Sequence, residues 1–478
     1  MCTQKQASKY NSVEIIIFRR HKMSALENIL GMLPDRISSG KQDQIFTPAH
    51  IAKEMVNALP EDIWNRHTTF FDPICKSGIF LYEIYQKLME SADLIEAFPD
   101  KQDRREHIIN NQLYGIAVDP MCQMMSIRSV YGYLEPNSHI ILLNDYQTIM
   151  RNTDKRFLLE TLQKEFGTMK FDLVIGNPPY NKGMDLDFVD LGYKLSEKYA
   201  CFITPAKWQT TADDYSGCAS KNIDYKQFRQ LYVPHMSKVV FYPDCLDIFE
   251  IAQNDGITYF ILDKSKIYQE CEVYNKCVRQ PYFNGYKQRS INNRETLVNI
   301  GAEIIEYLGD YKKYTWTENT ITKKYYVATT ALFSNSLGQG GSYDWNTGKI
   351  REGSAGEGGL LFTKNGDILV LSKSILCEKG TPVKSSTKVT FQSDSIDECN
   401  NFYSYLYSKF VRFFLLINES QMNNAVKPDW FRLVPAPDIK EDGTYDWSHK
   451  YSDEYLYKKY NLPQKYIDVI ESVIKERK

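Results

Sequence analysis

The chain has 478 residues, 43% of them hydrophobic and 25% charged, which is the make-up of a globular protein too long for one hydrophobic core, so two domains are expected. No run of about 18 uncharged apolar residues occurs, and Ile15-Ile16-Ile17-Phe18 is too short for a secretion signal and precedes its arginines; the sequence points to a cytoplasmic protein with no membrane partner. A formal charge of −2 excludes general attraction to polyanions, so any nucleic-acid contact must come from local clustering of the 58 Lys and Arg, while ten scattered cysteines without a Cys-x-x-Cys pair are expected to be reduced and structural, with no metal site.

Residues 1–22 show little periodicity and read as a loose extension. A helical stretch follows from Ala25 to Leu33, closed by Pro34, and a second opens after Thr47-Pro48 with Ile51, Met55, Val56 and Leu59 on one face. Thr69-Phe70-Phe71 leads into a helix through Phe80, Leu81, Ile84 and Leu88. Leu113 to Val118 reads as a strand before a helix through Met125 and Val130. His139 to Leu143, Phe171 to Ile175, Ala200 to Ile203, Val239 to Tyr242 and Ile257 to Leu262 are further strands. This alternation predicts an α/β fold, a mostly parallel sheet with helices on both faces and ligands beyond the carboxyl ends of its strands. After about residue 270 aromatic, Lys and Gly content rises, with a glycine-rich stretch from Gly338 to Gly359. A helix from Phe402 to Ile417 and the segment Phe431 to Pro435 precede a polar tail. The expected division is therefore an extension at 1–22, a catalytic domain at 23–268, a mixed α+β domain at 269–440, and a polar, helical tail at 441–478.

The strand from Phe171 runs into Asn177-Pro178-Pro179-Tyr180. An aryl amine is a poor nucleophile because its lone pair is delocalised into the ring. Two acceptors aimed at its hydrogens, the Asn177 side-chain oxygen and the Pro178 carbonyl, would draw the nitrogen toward tetrahedral geometry. Pro178 and Pro179 stiffen that backbone, and Tyr180 offers a flat face for an extruded base. A tight proline turn is the plain alternative, but Asn and Tyr flanking the pair directly after an apolar strand make chance a poor explanation.

These residues, with others upstream in order, resemble the γ group of DNA adenine-N6 methyltransferases of bacterial restriction–modification systems. The resemblance covers about residues 41–265. Gln44-Ile45-Phe46-Thr47-Pro48 is similar to the N-terminal motif, Asp72-Pro73-Ile74-Cys75-Lys76-Ser77-Gly78 to the first cofactor loop, Gly115 to Pro120 to the ribose-binding strand end, and Asn144-Asp145-Tyr146 to the motif at the cofactor adenine. The resemblance implies a Rossmann-like methyltransferase fold with a C-terminal target-recognition domain, and S-adenosyl-L-methionine held by Thr47, Asp72, Ile74, Asp119, Asp145 and Tyr146. It implies catalysis by Asn177, Pro178, Pro179 and Tyr180, with Tyr180 and Phe249 stacking on a flipped adenine. Double-stranded DNA is the implied substrate, and a separate restriction endonuclease is a partner consistent with the resemblance. Taken singly, an Asp after a strand is more often a helix cap, and Phe249 fits a core role about as well.

Two positions depart from the family. Lys76 stands where a small residue is usual, and a long cation near a sulfonium is unfavourable unless it points to solvent; Ala117 stands where an acid often assists the ribose site, so an altered cofactor pocket is expected. These departures keep a second reading open, a cofactor-poor DNA-binding subunit, and a methyltransferase acting on RNA or a protein glutamine is a third. Lys312-Lys313, Lys323-Lys324 and Lys384 to Lys388 are candidate phosphate contacts, although any one charge pair is more often solvated surface.

Overall fold

The computed structural model describes residues 36–39, 42–132, 138–143, 149, 152–180, 183–210, 222–242, 245–249, 256–276, 284–292, 301–316, 320–329, 342–344, 349–351, 374–380, 388–418 and 431–474. The chain forms two compact units. The first takes 1–202, 219–223 and 263–265; the second takes 203–218, 224–262 and 266–478.

In the first unit, β1 (Arg36–Ser39) and β2 (Gln42–Ile45) form a separate antiparallel hairpin. Helix α1 (Ala49–Asn57) follows, opened at Pro48, whose carbonyl accepts from the N–H of Ile51 and Ala52. The expected apolar face is the one buried: Ile51, Ala52, Met55 and Val56. The sheet then forms from β3 (Phe70–Cys75), β4 (Leu113–Ala117), β5 (Ile140–Leu142), β6 (Phe171–Gly176) and β7, which begins at Ser196. Their order is β7-β6-β3-β4-β5 and every pairing within it is parallel. β3, β4 and β6 are buried along almost their whole length, as a parallel sheet covered on both faces requires. From β3 the chain moves outward through β4 and β5, then returns to the other side of β3 with β6 and β7. The order therefore reverses between β3 and β6, where ligands bind in open α/β sheets.

The two ends of these strands differ in chemistry. At their starts, Phe71, Tyr114 and Phe171 gather with Phe166, which closes the helix Arg156–Phe166: Phe71 stacks on Phe171 with centroids 4.4 Å apart, and Tyr114 lies 5.2 Å from Phe171. Burying each such ring contributes roughly 1.5–3 kcal/mol and fixes the register of three strands. At or just past their carboxyl ends stand Asp72, Asp119 and Asn177, whereas Asp172 near the start of β6 is turned to Thr69 and Lys198.

The second unit contains β8 (Met236–Tyr242), antiparallel to β9 (Ile257–Asp263) and parallel to β10 (Glu270–Asn275), with β11 (Gly285–Ser290) antiparallel on β10. β10 and β11 were not anticipated from the sequence, because Glu270–Asn275 and Gly285–Ser290 are polar, partly exposed strands without an apolar run. Further on, β12 (Tyr325–Thr329) is flanked by two antiparallel neighbours, Ser374–Glu378 and Lys388–Ser393. The expected helix from Phe402 to Ile417 is two helices, Ile396–Tyr407 and Lys409–Asn418. Ser408 divides them: its extended ψ of 147° breaks the first, and its hydroxyl accepts from the N–H of Val411 to start the second. Phe402, Tyr405, Phe410 and Phe414 pack with Trp447, Leu456, Ile470 and Val473 in one aromatic-rich core, so the closing segment is helical and contributes buried residues besides its polar surface. The extension at 1–22, the helix at 25–33 and most of the glycine-rich stretch lie outside the described residues.

Candidate active site

β3 ends in Asp72-Pro73-Ile74-Cys75, and Asp72 is 2% exposed. Its Oδ1 accepts the N–H of Ile74 at 2.9 Å. Burial raises its pKa to about 7, against the lowering effects of the Ile74 N–H, the Cys75 thiol and the charge of Lys76. Gly176, the last residue of β6, lies directly beside it. A Cβ there would stand 3.4 Å from Asp72 Oδ1 and 3.2 Å from Ile74 Cγ2. The expected cofactor acid and the residue preceding Asn177 are thus in van der Waals reach at the point where strand order reverses.

Past β6, Asn177 is 3% exposed and its Nδ2 donates to the hydroxyl of Thr47, itself 4% exposed, at 3.0 Å across 130 residues of sequence. Among the described residues no donor reaches Asn177 Oδ1. Asn177 is therefore buried against the N-terminal motif, not turned into the apolar core. Pro178 is buried, and Pro179 and Tyr180 are half-buried.

Lys76 does not take the solvent-facing course that would keep it clear of a sulfonium; its ammonium donates to the carbonyl of Ile45 at 2.9 Å. Burial lowers its pKa to about 8, while Asp72 and Cys122 pull the other way. Serines that sequence reasoning passed over support this loop. Ser126 Oγ donates to the Lys76 carbonyl at 3.3 Å and Ser129 Oγ to that of Ser77 at 2.7 Å, while the Ser77 hydroxyl is buried and meets no partner among the described residues. Gly78 then turns at φ +76°, and a Cβ there would be 2.7 Å from Ser126 Cα, so only glycine brings the loop this close to the helix α2 (Pro120–Tyr131). The adjacent pair Ser77-Gly78 was the available signal.

Asp119 follows β4, next to β3, and caps α2 by accepting the N–H of Cys122 at 2.7 Å; the helix-cap role is thus present at the expected ribose position. Ala117 is fully buried within β4. Ile74 is buried with its N–H committed to Asp72. Asp145 and Tyr146 lie outside the described residues. Phe249, in the second unit, is 3% exposed, and its N–H donates to the Cys245 carbonyl at 2.8 Å. Of the candidate phosphate contacts, Lys323 pairs with Asp394 at 2.8 Å. Among the described residues no cluster of His, Cys, Asp or Glu fits a metal ion, and no helix is long and apolar enough to cross a membrane.

The donor set suits a cationic cofactor rich in hydroxyls and amines. It holds a buried acid that takes up a proton near neutrality, a buried serine hydroxyl without a partner among the described residues, and a glycine-lined approach at Gly176 and Gly78.

Residues 111–187, which run from before β4 through Tyr180, match the family described as Eco57I restriction-modification methylase. A protein of Mycoplasma pneumoniae described as an uncharacterized adenine-specific methylase is 24% identical over 311 residues, covering 50% of this chain and 71% of that protein. Among solved structures, the modification subunit of a putative type I restriction enzyme from Vibrio vulnificus overlaps with a TM-score of 0.36 at 16% identity, over 53% of this chain and 50% of its own. The EcoKI M protein overlaps with a TM-score of 0.35 at 15% identity, over 50% and 49%. The chain thus spans about half the length of these two structures.

Proposed function

We propose that this chain is an S-adenosyl-L-methionine-dependent DNA methyltransferase that modifies the exocyclic amine of an adenine turned out of the duplex, in a restriction–modification system. The observation that supports this most is the commitment of Asn177 Nδ2 to Thr47, which leaves the carboxamide oxygen as the end available to an amine. With the Pro178 carbonyl it makes the acceptor pair that localises an aryl amine's lone pair, and Tyr180 gives the base a ring to stack on. Asp72 would take the ammonium of the cofactor's methionine, Thr47 and Ile74 would line that end, and Asp119, Asp145 and Tyr146 would hold the ribose and adenine. The cofactor, when bound, supplies an electrophilic methyl group. Beyond it the reaction needs position more than acid–base help, which suits a loop stiffened by two prolines. Residues 269–440 are the proposed recognition domain for double-stranded DNA, and a separate restriction endonuclease is the proposed companion.

One observation favours a second reading. Lys76 brings a buried cation, held on the Ile45 carbonyl, beside the loop proposed for the cofactor, as a cofactor-poor DNA-binding subunit would permit. Incubation with methyl-labelled cofactor and DNA, RNA or protein separates the readings. Label in DNA adenine that disappears in Asn177→Ala is expected. Label in RNA or protein alone would replace the substrate, and no label with DNA still bound would leave the second reading standing.

A further inference from the structure

We infer that Lys76 is a positioning residue for the catalytic loop: held on the Ile45 carbonyl, its ammonium fixes the segment whose Thr47 hydroxyl sets the amide plane of Asn177. This rests on the methyltransferase reading of Asn177 proposed above.

A carboxamide has a donating and an accepting end, and only the accepting end can receive an amine's hydrogens. The bond from Asn177 Nδ2 to Thr47 Oγ1 holds the amide in its observed plane with the oxygen outward. A half-turn of the amide would present N–H groups to N–H groups. Thr47 therefore has to be held, and on its C-terminal side α1 does so through the turn at Pro48 and the buried Ile51, Ala52, Met55 and Val56. On its N-terminal side no helix gives the described residues such support. Among the described residues β2 pairs with β1 and with no strand of the main sheet. The bond from Lys76 Nζ to Ile45 O, two residues before Thr47, is what ties this segment to the cofactor loop. Lys76 is in turn anchored by Ser126, which donates to its carbonyl. The four-carbon stem of lysine spans a gap that the family's small residue could not, so the departure at Lys76 acquires a role. Cofactor loop, N-terminal segment and catalytic asparagine form one series: Lys76, Ile45, Thr47, Asn177.

The test compares Thr47→Val, Thr47→Ser, Lys76→Met and the double variant Thr47→Val/Lys76→Met in the full chain. Single-turnover methylation is measured at saturating cofactor and DNA, alongside cofactor titration. Thr47→Val and Lys76→Met should each lower the rate at saturation by about 10- to 100-fold, the scale of a small misplacement of a reacting group. Thr47→Ser should restore it, and the double variant should be no slower than the slower single one, because the residues act in series. Losses confined to cofactor affinity, or losses that multiply in the double variant, would overturn the inference. A readout independent of activity separates it from the function it rests on: hydrogen exchange of the Asn177 side-chain amide in asparagine-labelled protein. Protection should be lost in both Thr47→Val and Lys76→Met. Retained protection sinks the relay, whereas a wild-type protein with the protection but no methyl transfer sinks the proposed function instead.

Discussion

Replacing Asp72 by asparagine should stabilise the ligand-free protein at pH 8 while weakening cofactor binding. The folded carboxyl titrates near 7 against an ordinary 3.8 because it is buried. A pKa raised in the folded state contributes stability that is fully present below the unfolded value and lost as the pH rises through the folded one. Holding Asp72 ionised at pH 8 thus costs about 4 kcal/mol, three units at roughly 1.4 kcal/mol each. Asparagine keeps an Oδ1 acceptor for the Ile74 N–H and carries no charge to desolvate. The attraction of Lys76 is already contained in that pKa, so the gain should approach that figure, on the order of 4 kcal/mol. Urea midpoints measured from pH 4 to pH 8 check it: the variant's advantage should widen between pH 4 and 7 and level off above. An advantage independent of pH, or a lower midpoint at pH 8, would refute the assignment of desolvation as the dominant cause. Calorimetry on the same samples should show cofactor binding at least about tenfold weaker, since one charge-assisted contact to the ammonium is gone.

Wild-type cofactor affinity should itself rise with pH up to about 7, by as much as tenfold per unit below it, because the ionised Asp72 receives the ammonium; isothermal titration at pH 6, 7 and 8 reads this. Asn177→Ala should lower methyl transfer by about 100-fold or more with cofactor affinity within a few-fold, measured by label incorporation against binding. Gly78→Ala should destabilise the fold by about 2–4 kcal/mol in denaturant titration, since a Cβ at φ +76° would also meet Ser126 Cα at 2.7 Å. Phe249→Leu should keep the fold within about 1.5 kcal/mol yet lower transfer if the ring stacks on the base; unchanged transfer assigns it to the core.

The strands that carry chemistry were legible because a covered parallel strand reads as an apolar run: β4 and β6 match within a residue, while β3 runs through Asp72-Pro73 to Cys75, four residues past the expected Phe71. The proline loop was legible because it directly follows one of them. β10 and β11 were not, since their polar, partly exposed residues carry no alternation that periodicity can detect. The break at Ser408 had a signal, a serine before Lys409, that an unbroken apolar pattern masked. At the site, the direction of Lys76 could not be read, because its acceptor is a backbone carbonyl 31 residues away and carbonyls leave no mark in a sequence. The meeting of Thr47 and Asn177 was invisible as a contact for the same reason of distance, although each residue was singled out on its own.

The polarity of the sheet explains how the first unit tolerates a buried ionisable pair. The rings of Phe71, Tyr114, Phe166 and Phe171 close the starts of the strands, and at roughly 1.5–3 kcal/mol each they outweigh the cost of ionising Asp72. Stability is thereby concentrated at one end of β3, β4 and β6, while the other end keeps a charge that water would have solvated better. Lys76 lessens that cost by standing beside the carboxylate, and a bound cation would lessen it further. The carboxyl ends should therefore be the least stable part of this sheet without cofactor. In amide hydrogen exchange, cofactor should protect Asp72 to Gly78 and leave the N–H groups at Phe70 and Leu173, already bonded at the closed end of the sheet, unchanged.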